Sequence, residues 1–430
     1  MGNALVAQSG GPTAVINASL LGVIDACQEI PSRIDHIYAA HHGIEGILLE
    51  ELIDLSLEEP EELRLLRTTP AAGAIGTCRY KVTADQREDL ERVVNVLDAH
   101  GIEFFFYIGG NDSMDTAHRV SELAGERGLD LICAGIPKTI DNDLGDQERL
   151  VMDHTPGYGS VARYWTDLIR GLDEENRGSS PADPVVVVQA MGRRIGFIPA
   201  AARLADPQRD LPLLIALPEA GLTLEELGDH VDQTLRREGR ALVVVSEGFN
   251  VGALGERHDA FGHVEFGASR RSVCQAVVNY LNDRGLPVRG SARGQIPGTH
   301  QRHAFAHVSD VDLDEASAVG RHAVHVAVER GTGLMATIRR VSDSPYAVEY
   351  GHAPLAEMAN SERHFPQEWI DASRIDVRDD FVDYARPLLG GRSITIPRER
   401  GAPRFARLNR RLTEKLCSPY VPQALRKESR

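Results

Sequence analysis

The amino-acid sequence predicts an α/β protein with largely parallel sheets. Short apolar runs alternate along the chain with amphipathic stretches, which is the pattern of strands linked by helices. Several of these runs are unbroken, such as Phe104 to Ile108 and Val185 to Gln189, as expected of strands that are covered on both faces. The chain has 430 residues, of which 42% are hydrophobic, so it is long enough for two packed domains.

The predicted elements follow this alternation along the chain. The apolar runs predict strands at Ala4–Ala7, Ile34–Ala40, Phe104–Ile108, Leu129–Ile136, Val185–Gln189, Leu213–Leu217, Leu242–Val245 and Leu334–Ile338. The amphipathic stretches predict helices at Val15–Cys27, Ala84–Ala99, Ser113–Gly125, Tyr158–Leu172, Leu224–Arg237, Ser269–Arg284 and Asp314–Arg330. The polar, helix-breaking stretch Asp173–Pro184 is the predicted domain boundary. After about Arg340 the chain is rich in Arg and Pro and has fewer clear strands.

The net charge of the chain and its first residues indicate which partners and which location to expect. The net charge is −16, from 47 basic and 63 acidic residues, which argues against a nucleic-acid or anionic-membrane partner. The segment Met1–Gln8 lacks the basic and apolar regions of a signal peptide, and no apolar run approaches the length of a membrane span. We therefore expect a cytoplasmic protein.

Polar, glycine-rich segments follow many of the predicted strands. They are Ser9–Thr13, Gly109–Ser113, Lys138–Asp143, Met191–Arg193 and Ser246–Gly248. In open α/β sheets, ligands bind beyond the carboxyl ends of the strands. These segments therefore predict a single binding site.

Asp112 is the most informative residue in these segments. A strand that ends in Gly109-Gly110 before a helix offers bare backbone N–H groups, which is the usual setting for a bound phosphate. A carboxylate there is unexpected, although Asp112 taken alone could be a helix N-cap. The segment Pro137–Asp143 adds a cation, a hydroxyl and two carboxylates; alone it could be a solvated turn. Together the two segments indicate phosphoryl transfer.

Six motifs fall in the order and approximate spacing of one enzyme family. They are Gly10-Gly11, Gly76–Arg79, Gly109–Ser113, Pro137–Asp143, Met191–Arg193 and Gly298–Arg302. On these motifs the chain resembles the 6-phosphofructokinase family, most of all its bacterial pyrophosphate-dependent branch, over about residues 1–340. The resemblance implies two Rossmann-like, three-layer lobes: about 1–150 for the phosphoryl donor and about 151–300 for the sugar phosphate. Residues of about 301–340 would return to the first lobe, and 341–430 would form an extension whose role stays open.

The resemblance also implies catalytic roles. Asp141 would be the general base that takes the proton from the sugar 1-hydroxyl. Lys138, where ATP-using relatives have a small residue, would stabilise the transferring phosphoryl group and the leaving phosphate. Asp112, where those relatives have Gly, would exclude a nucleotide by bulk and charge. Mg²⁺ is implied, with Asp143 and Asn111 as metal contacts, although many relatives have Asp at the position of Asn111.

Binding residues are implied by positional match to the same motifs. For the donor phosphates they are Gly11, Arg79, Gly110 and Ser113, with Lys81 as a further candidate. For the sugar phosphate they are Thr139, Asp141, Met191, Gly192, Arg193, Glu247, Arg293, Thr299 and Arg302.

Two positions depart from the pattern of the sugar site. Thr299 stands where relatives usually have His or Tyr, and Pro184 stands where they usually have Arg. Either Arg177 or Arg203 could replace the missing cation. In relatives an Arg of a neighbouring subunit completes the site, so Arg293 suggests a homo-oligomer, either a dimer or a tetramer.

The implied activity is reversible phosphoryl transfer from pyrophosphate to the 1-hydroxyl of fructose 6-phosphate, a step of glycolysis. Three alternatives stay open: an ATP-dependent 6-phosphofructokinase, the same chemistry on sedoheptulose 7-phosphate, and a catalytically silent, ligand-binding paralogue. Asp141, Lys138 and Arg193 are all present, which favours an active enzyme over the silent paralogue.

Overall fold

A computed structural model describes residues 2–83, 85–252, 272–359 and 361–426. In the described residues, two sheets with helices on both faces form two three-layer lobes, as predicted. The sheets are mostly parallel, so the carboxyl ends of neighbouring strands lie at the same edge. No described helix combines the length and the apolar character needed to cross a membrane.

The first lobe contains a seven-stranded sheet. In chain order its strands are β1 (Gly2–Gln8), β2 (Ile34–Ala40), β3 (Leu52–Asp54), β4 (Ile102–Gly109), β5 (Ile132–Pro137), β10 (Leu334–Asp343) and β11 (Tyr346–Pro354). Their spatial order is β11-β10-β5-β4-β1-β2-β3. The five inner strands are parallel, and the edge strands β3 and β11 are antiparallel to their neighbours.

Helices cover both faces of this sheet. They are α1 (Ile16–Gln28), α2 (Ile44–Leu48), α3 (Pro60–Leu65), α4 (Arg87–Ala99), α5 (Asn111–Glu126), α11 (Asp310–Arg330) and α12 (Leu355–Met358). Helices α1 and α11 pack on one face, and α2, α4, α5 and α12 on the other. Helices α1 and α11 approach so closely that a Cβ atom on Gly22 or Gly320 would collide with the opposite backbone.

The second lobe contains a four-stranded parallel sheet of order β7-β8-β6-β9. Its strands are β6 (Val185–Ala190), β7 (Leu213–Ala216), β8 (Ala241–Ser246) and β9 (Ala292–Gln295). Its helices are α6 (Tyr158–Ser179), α7 (Phe197–Ala200), α8 (Leu224–Glu238), α9 (Val273–Arg284), α10 (His300–His303) and α13 (Asp379–Ala385). Helices α6, α7 and α13 contribute to the core on one face, and α8 and α9 to the core on the other.

All the predicted strands exist, and the predicted helices are present within about four residues of their expected ends, apart from the C-terminal end of α6. The sequence missed β3, β9, β11 and the paired two-residue strands Arg398–Glu399 and Ala402–Pro403, as well as the short helices. The first residue of the predicted helix Ala84–Ala99 and the first three of Ser269–Arg284 lie outside the described residues.

The predicted break at Asp173–Pro184 is wrong in its first half, because α6 continues to Ser179. Two of the polar residues that indicated a break are buried and paired inside the fold: Asp173 bonds Arg240 at 2.6 Å, and the Asn176 side chain donates to the Asp183 carbonyl at 2.9 Å. The division at about 150, 300 and 340 stays a prediction.

The C-terminal segment returns to the first lobe and packs against it. Buried Glu50 accepts hydrogen bonds from the backbone N–H groups of Leu416 and Cys417. The Arg410 side chain donates to the carbonyls of Gly73 and Ala74. The segment therefore supports the loop that leads to the motif Gly76–Arg79.

Candidate active site

A cavity of about 710 Å³ lies where the carboxyl ends of the two sheets face each other. Its walls come from each of the polar segments that follow the strands. The lining residues with predicted roles are Gly11, Arg79, Lys81, Gly110, Asn111, Asp112, Ser113, Lys138, Thr139, Asp141, Asp143, Met191, Arg193, Glu247, Thr299 and Arg302. The fold thus brings together residues that are up to 291 positions apart, from Gly11 to Arg302.

One wall is formed by the turn after β1 and the segment Gly76–Arg79, which are bonded to each other. The Thr77 hydroxyl donates to the Gly10 carbonyl at 2.9 Å, and the Gly10 N–H donates to the Cys78 carbonyl at 2.9 Å. Gly10 has φ 74°, a conformation that side chains disfavour. At Gly11 an added Cβ would lie 3.0 Å from an Arg302 guanidinium nitrogen. The two glycines therefore leave the backbone open to a ligand and to Arg302.

Lys138 is a buried cation at the floor of the cavity. Only 4% of the residue is exposed, and its Nζ donates to the Gly11 carbonyl at 2.8 Å. Burial lowers the pKa of Lys138 to about 8, although the nearby Asp141 carboxylate opposes this shift. The ammonium group is thus held in place on a rigid strand end while it keeps most of its charge at neutral pH.

Asp141 and Asp143 point into the cavity on either side of Asn142, which has φ 58°. Burial and the Asp143 carboxylate raise the pKa of Asp141 to about 7, while Arg193 lowers it. The Arg193 Nε lies 3.9 Å from the Asp141 carboxylate. Burial also raises the pKa of Asp143. A carboxylate with a pKa near neutrality is suited to general-base catalysis.

Helix α5 begins at the cavity and presents its N-terminus to it. An added Cβ at Gly109 would collide with the Ser113 side chain, so the strand can meet the helix only with glycine there. Gly110 occupies the N-cap position and Asp112 lies inside the first turn. Asp112 is therefore not the N-cap. Its carboxylate bonds the Lys81 ammonium at 2.6 Å, so the negative charge in the phosphate cradle is paired.

Asn111 and Asp143 supply oxygen atoms in the same cavity. The Asn111 side-chain oxygen is buried and has no hydrogen-bond partner among the described residues. The described parts of the chain contain no group of three or more His, Cys, Asp or Glu able to hold a metal ion. Carboxylate and amide oxygens are hard ligands, which suits Mg²⁺ when substrate phosphates complete its coordination. The residues present fit such a shared site.

The opposite wall is organised around Glu247 and Gln301. Glu247 follows β8, and its carboxylate accepts the Arg193 N–H at 2.9 Å. The amide oxygen of buried Gln301 accepts the Met191 N–H at 3.1 Å and the Trp165 indole N–H at 3.0 Å. Sequence reasoning missed Gln301, and the only local signal was its position within the Gly298–Arg302 motif. These two side chains fix the segment Met191–Arg193 against the cavity.

Arg302 lies between the two walls. Its Nε is buried and has no hydrogen-bond partner among the residues that the structure describes. Burial and the charge of Arg79 lower the pKa of Arg302 from its ordinary value. An unpartnered guanidinium edge beside a second Arg is suited to binding a phosphate.

Some predicted residues do not reach the cavity. Arg293 lies on β9, is 68% exposed, and bonds Asp183 at 2.6 Å. Gly192, with φ 116°, turns the chain behind Met191 without lining the cavity.

Neither alternative cation takes the place of the arginine missing at Pro184. Arg177 pairs with Glu174 on the exposed end of α6. Arg203 is buried against Asp206 and Asp376. Both suggestions were wrong because acidic residues hold these side chains: Glu174 holds Arg177, and Asp206 and Asp376 hold Arg203.

The C-terminal segment also contributes to the cavity wall, through Ala359, Ser361 and Glu362. Nothing in the local sequence indicated this contribution. It arises because α12 packs on α5.

The fold and site together define a phosphoryl-transfer enzyme: a helix N-terminus and Arg and Lys side chains surround a cavity that also holds two carboxylates. A phosphofructokinase family model matches residues 3–348, and the chain belongs to the phosphofructokinase family. The chain is 38% identical to the pyrophosphate–fructose 6-phosphate 1-phosphotransferase of Halomonas elongata, covering 96% of this chain and 97% of that protein.

Two further matches lie in the same group. The enzyme of the same name from Methylococcus capsulatus is 38% identical, and the match covers 98% of both chains. The crystal structure of the pyrophosphate-dependent phosphofructokinase from Marinobacter aquaeolei superposes with a TM-score of 0.87 at 36% identity, covering 98% of this chain and 100% of that one. The pyrophosphate-dependent branch indicated by the motifs is thereby confirmed.

Proposed function

We propose that the protein transfers a phosphoryl group reversibly from pyrophosphate to the 1-hydroxyl of D-fructose 6-phosphate, giving fructose 1,6-bisphosphate and phosphate. The observation that carries this proposal is the buried Lys138 ammonium, held at the Gly11 carbonyl in the same cavity as Asp141. The names of the relatives that match nearly the whole chain support the same reaction.

The donor phosphates would lie against α5 and the turn after β1. The N–H groups at the start of α5, with Gly110 and Ser113, form an anion site at a helix N-terminus. Gly11 allows close approach of the backbone, and Arg79 adds a guanidinium group. Lys138 would stabilise the negative charge of the transferring phosphoryl group, which is the largest task in this kind of reaction.

Asp141 would take the proton from the sugar hydroxyl as its oxygen attacks phosphorus. The Thr139 hydroxyl accepts the Asp141 N–H at 3.1 Å and donates to the Asp143 carboxylate. Thr139 therefore helps to fix both carboxylates next to the sugar. In the reverse direction the protonated Asp141 would return the proton to the leaving hydroxyl oxygen.

Asp112 would set the choice of donor. Its side chain occupies space beside the helix N-terminus where a nucleotide would place a further phosphate. The carboxylate is paired with Lys81, but a nucleotide phosphate at that place would be kept away from the backbone N–H groups and repelled by the carboxylate. Pyrophosphate is smaller and does not need that space.

The sugar phosphate would be held by the opposite wall. Met191, Gly192 and Arg193 form the supporting turn, and Glu247 can accept protons from sugar hydroxyls. Thr299 and Arg302 face the cavity from the loop after β9. Arg302, with its unpartnered Nε, is the best-placed cation for the 6-phosphate.

A second copy of the chain would complete this wall. Arg293 is turned outward on the exposed edge strand β9, where it could reach the site of a neighbouring subunit. We therefore propose a homo-oligomer that acts in the cytoplasm, where sugar phosphates are available.

Magnesium would bind between Asn111, Asp143 and the donor phosphates. When bound it would neutralise phosphate charge and orient the transferring group. Asn111 contributes an oxygen without charge, so it would leave the charge of the ion less neutralised than a carboxylate would.

The test is a coupled assay with matched concentrations of pyrophosphate and ATP, each with fructose 6-phosphate and with sedoheptulose 7-phosphate. We expect turnover with pyrophosphate and fructose 6-phosphate. The Asp141→Asn variant serves as the control for adventitious activity. Turnover with ATP alone would contradict the donor assignment, and turnover with neither donor would favour a silent paralogue.

A further inference from the structure

Arg363, in the C-terminal segment, holds the loop that carries the two carboxylates. It is fully buried. Its Nε donates to the Asn142 carbonyl at 2.9 Å and its Nη2 donates to the Asn142 side-chain oxygen at 2.7 Å. Its Nη1 donates to the carbonyls of Met152 at 2.6 Å and Asp153 at 3.0 Å. Its own N–H donates to the Asp143 carbonyl at 2.8 Å.

Several of these contacts are made to Asn142, the residue of the loop with an unfavourable backbone conformation. Asn142 has φ 58°, a left-handed conformation that persists in a non-glycine residue only when its surroundings determine it. Its side chain is buried: the amide N–H donates to the Tyr384 hydroxyl at 2.9 Å, and the amide oxygen accepts the Thr155 N–H at 3.0 Å. Because Asn142 turns inward, Asp141 and Asp143 on either side can both face the cavity.

The guanidinium group is suited to this task by its shape. The N–H groups of its fork lie in one plane. Here they donate to both ends of the loop: to Asn142, which lies between the two carboxylates, and to Met152 and Asp153, where the chain returns. A Lys side chain has a single nitrogen and cannot donate to all of these acceptors at once. The charge of Arg363 also lowers the pKa of Asp143, against the effect of burial.

We propose that Arg363 is a positioning residue for phosphoryl transfer, which fixes the Asp141–Asp143 loop so that the base and the metal-binding carboxylate face the donor. This inference rests on the proposed function. It gives a role to the C-terminal segment, because Arg363 lies outside the part of the chain that the family model matches. Arg363 does not line the cavity, so it acts only through the loop.

The test compares Arg363→Lys with the wild type by steady-state kinetics and by hydrogen exchange of the peptide 139–157. Misplacing a reacting group by about 1 Å can cost on the order of 10²-fold in rate. We expect kcat to fall by about 10²-fold while KM for pyrophosphate stays within about 3-fold, since the donor contacts are kept. We also expect faster exchange in the peptide 139–157.

The matched control is Arg92→Lys. Arg92 is also buried, donates to the Leu48 carbonyl at 3.0 Å and pairs with Glu50, and it does not line the cavity. We expect this variant to keep wild-type kcat and wild-type exchange in the peptide 139–157.

Three results would overturn the inference: an unchanged kcat in folded Arg363→Lys, an equal loss of kcat in both variants, or unchanged exchange in the peptide. A wild-type protein that is inactive with pyrophosphate would refute the proposed function instead. The exchange measurement would then still decide whether Arg363 holds the loop.

Discussion

Replacing Asp141 by Asn should abolish turnover and at the same time stabilise the protein. The Asp141 carboxylate is largely buried, with 15% of its side chain exposed. It also lies close to the carboxylates of Asp143 and Glu247. Ionising it in the folded protein is therefore unfavourable, a cost that the proposed role of Asp141 as the general base would explain.

The size of the effect follows from the pKa of Asp141. Folding raises it from 3.8 to about 7, and each unit of pKa is worth about 1.4 kcal/mol. An acid with a raised pKa stabilises the folded state only at low pH, and this contribution is lost as the pH rises through the folded pKa. Relative to low pH, the loss is about 2 kcal/mol at pH 5.5 and about 4 kcal/mol at pH 8.

The assay is urea unfolding of the wild type and Asp141→Asn at pH 5.5 and pH 8. The Asn side chain has no charge to bury, so its advantage in the free energy of unfolding should grow by about 2 kcal/mol between the two pH values. The control is Asp146→Asn. Asp146 accepts backbone N–H groups of Leu150, Val151 and Met152, which lower its pKa, so this variant should be less stable at pH 8.

Two results would refute this reasoning. One is a stability gain of Asp141→Asn that is the same at both pH values, because it would show that the cost is not one of ionisation. The other is a loss of stability at pH 8, which would mean that Lys138 and Arg193 more than offset the burial of the carboxylate.

Three further predictions concern the donor side of the cavity. Asp112→Gly should give at least about a 10-fold gain in kcat/KM with ATP, because the bulk and the carboxylate beside Lys81 are removed; no gain in a donor assay would contradict the exclusion argument. In the wild type, kcat/KM should fall as the pH rises through about 8, where Lys138 loses its charge. In Lys138→Arg this fall should occur at a much higher pH, and a fall at the same pH would mean that another group causes it. Asn111→Asp should lower the Mg²⁺ concentration for half-maximal rate by a few-fold, on the order of 1 kcal/mol, because a carboxylate replaces an unpartnered amide oxygen. A Mg²⁺ titration in which this concentration is unchanged or higher would argue against a metal contact at this position.

Much of the fold could be predicted because its signals are local. The unbroken apolar runs at β4 and β6 are typical of strands covered on both faces, and the glycine pair before α5 marks a strand-to-helix turn. Strand β9 was missed since three of its four residues are exposed. Strand β11 was missed because it is an edge strand whose residues are mostly half-buried or exposed.

The residues of the site were predicted as far as they lie in motifs. Pairings between distant parts of the chain were not predicted: Lys81, itself a predicted candidate for the donor site, pairs with Asp112 across 31 positions, and Arg363 reaches Asn142 across 221. Such contacts depend on the tertiary packing of segments that are distant in sequence, which no local pattern encodes. The outward direction of Arg293 likewise depends on Asp183, which the sequence could not place beside it.

The most direct test of the proposed chemistry is the reverse reaction, followed by ³¹P NMR. The purified protein would be given fructose 1,6-bisphosphate, phosphate and Mg²⁺ with no nucleotide present. If pyrophosphate is the donor in the forward direction, a pyrophosphate signal should grow as the 1-phosphate signal of the sugar declines. Absence of pyrophosphate here, together with formation of ATP when ADP replaces phosphate, would contradict the assignment of Asp112 and Lys138 as the residues that select pyrophosphate.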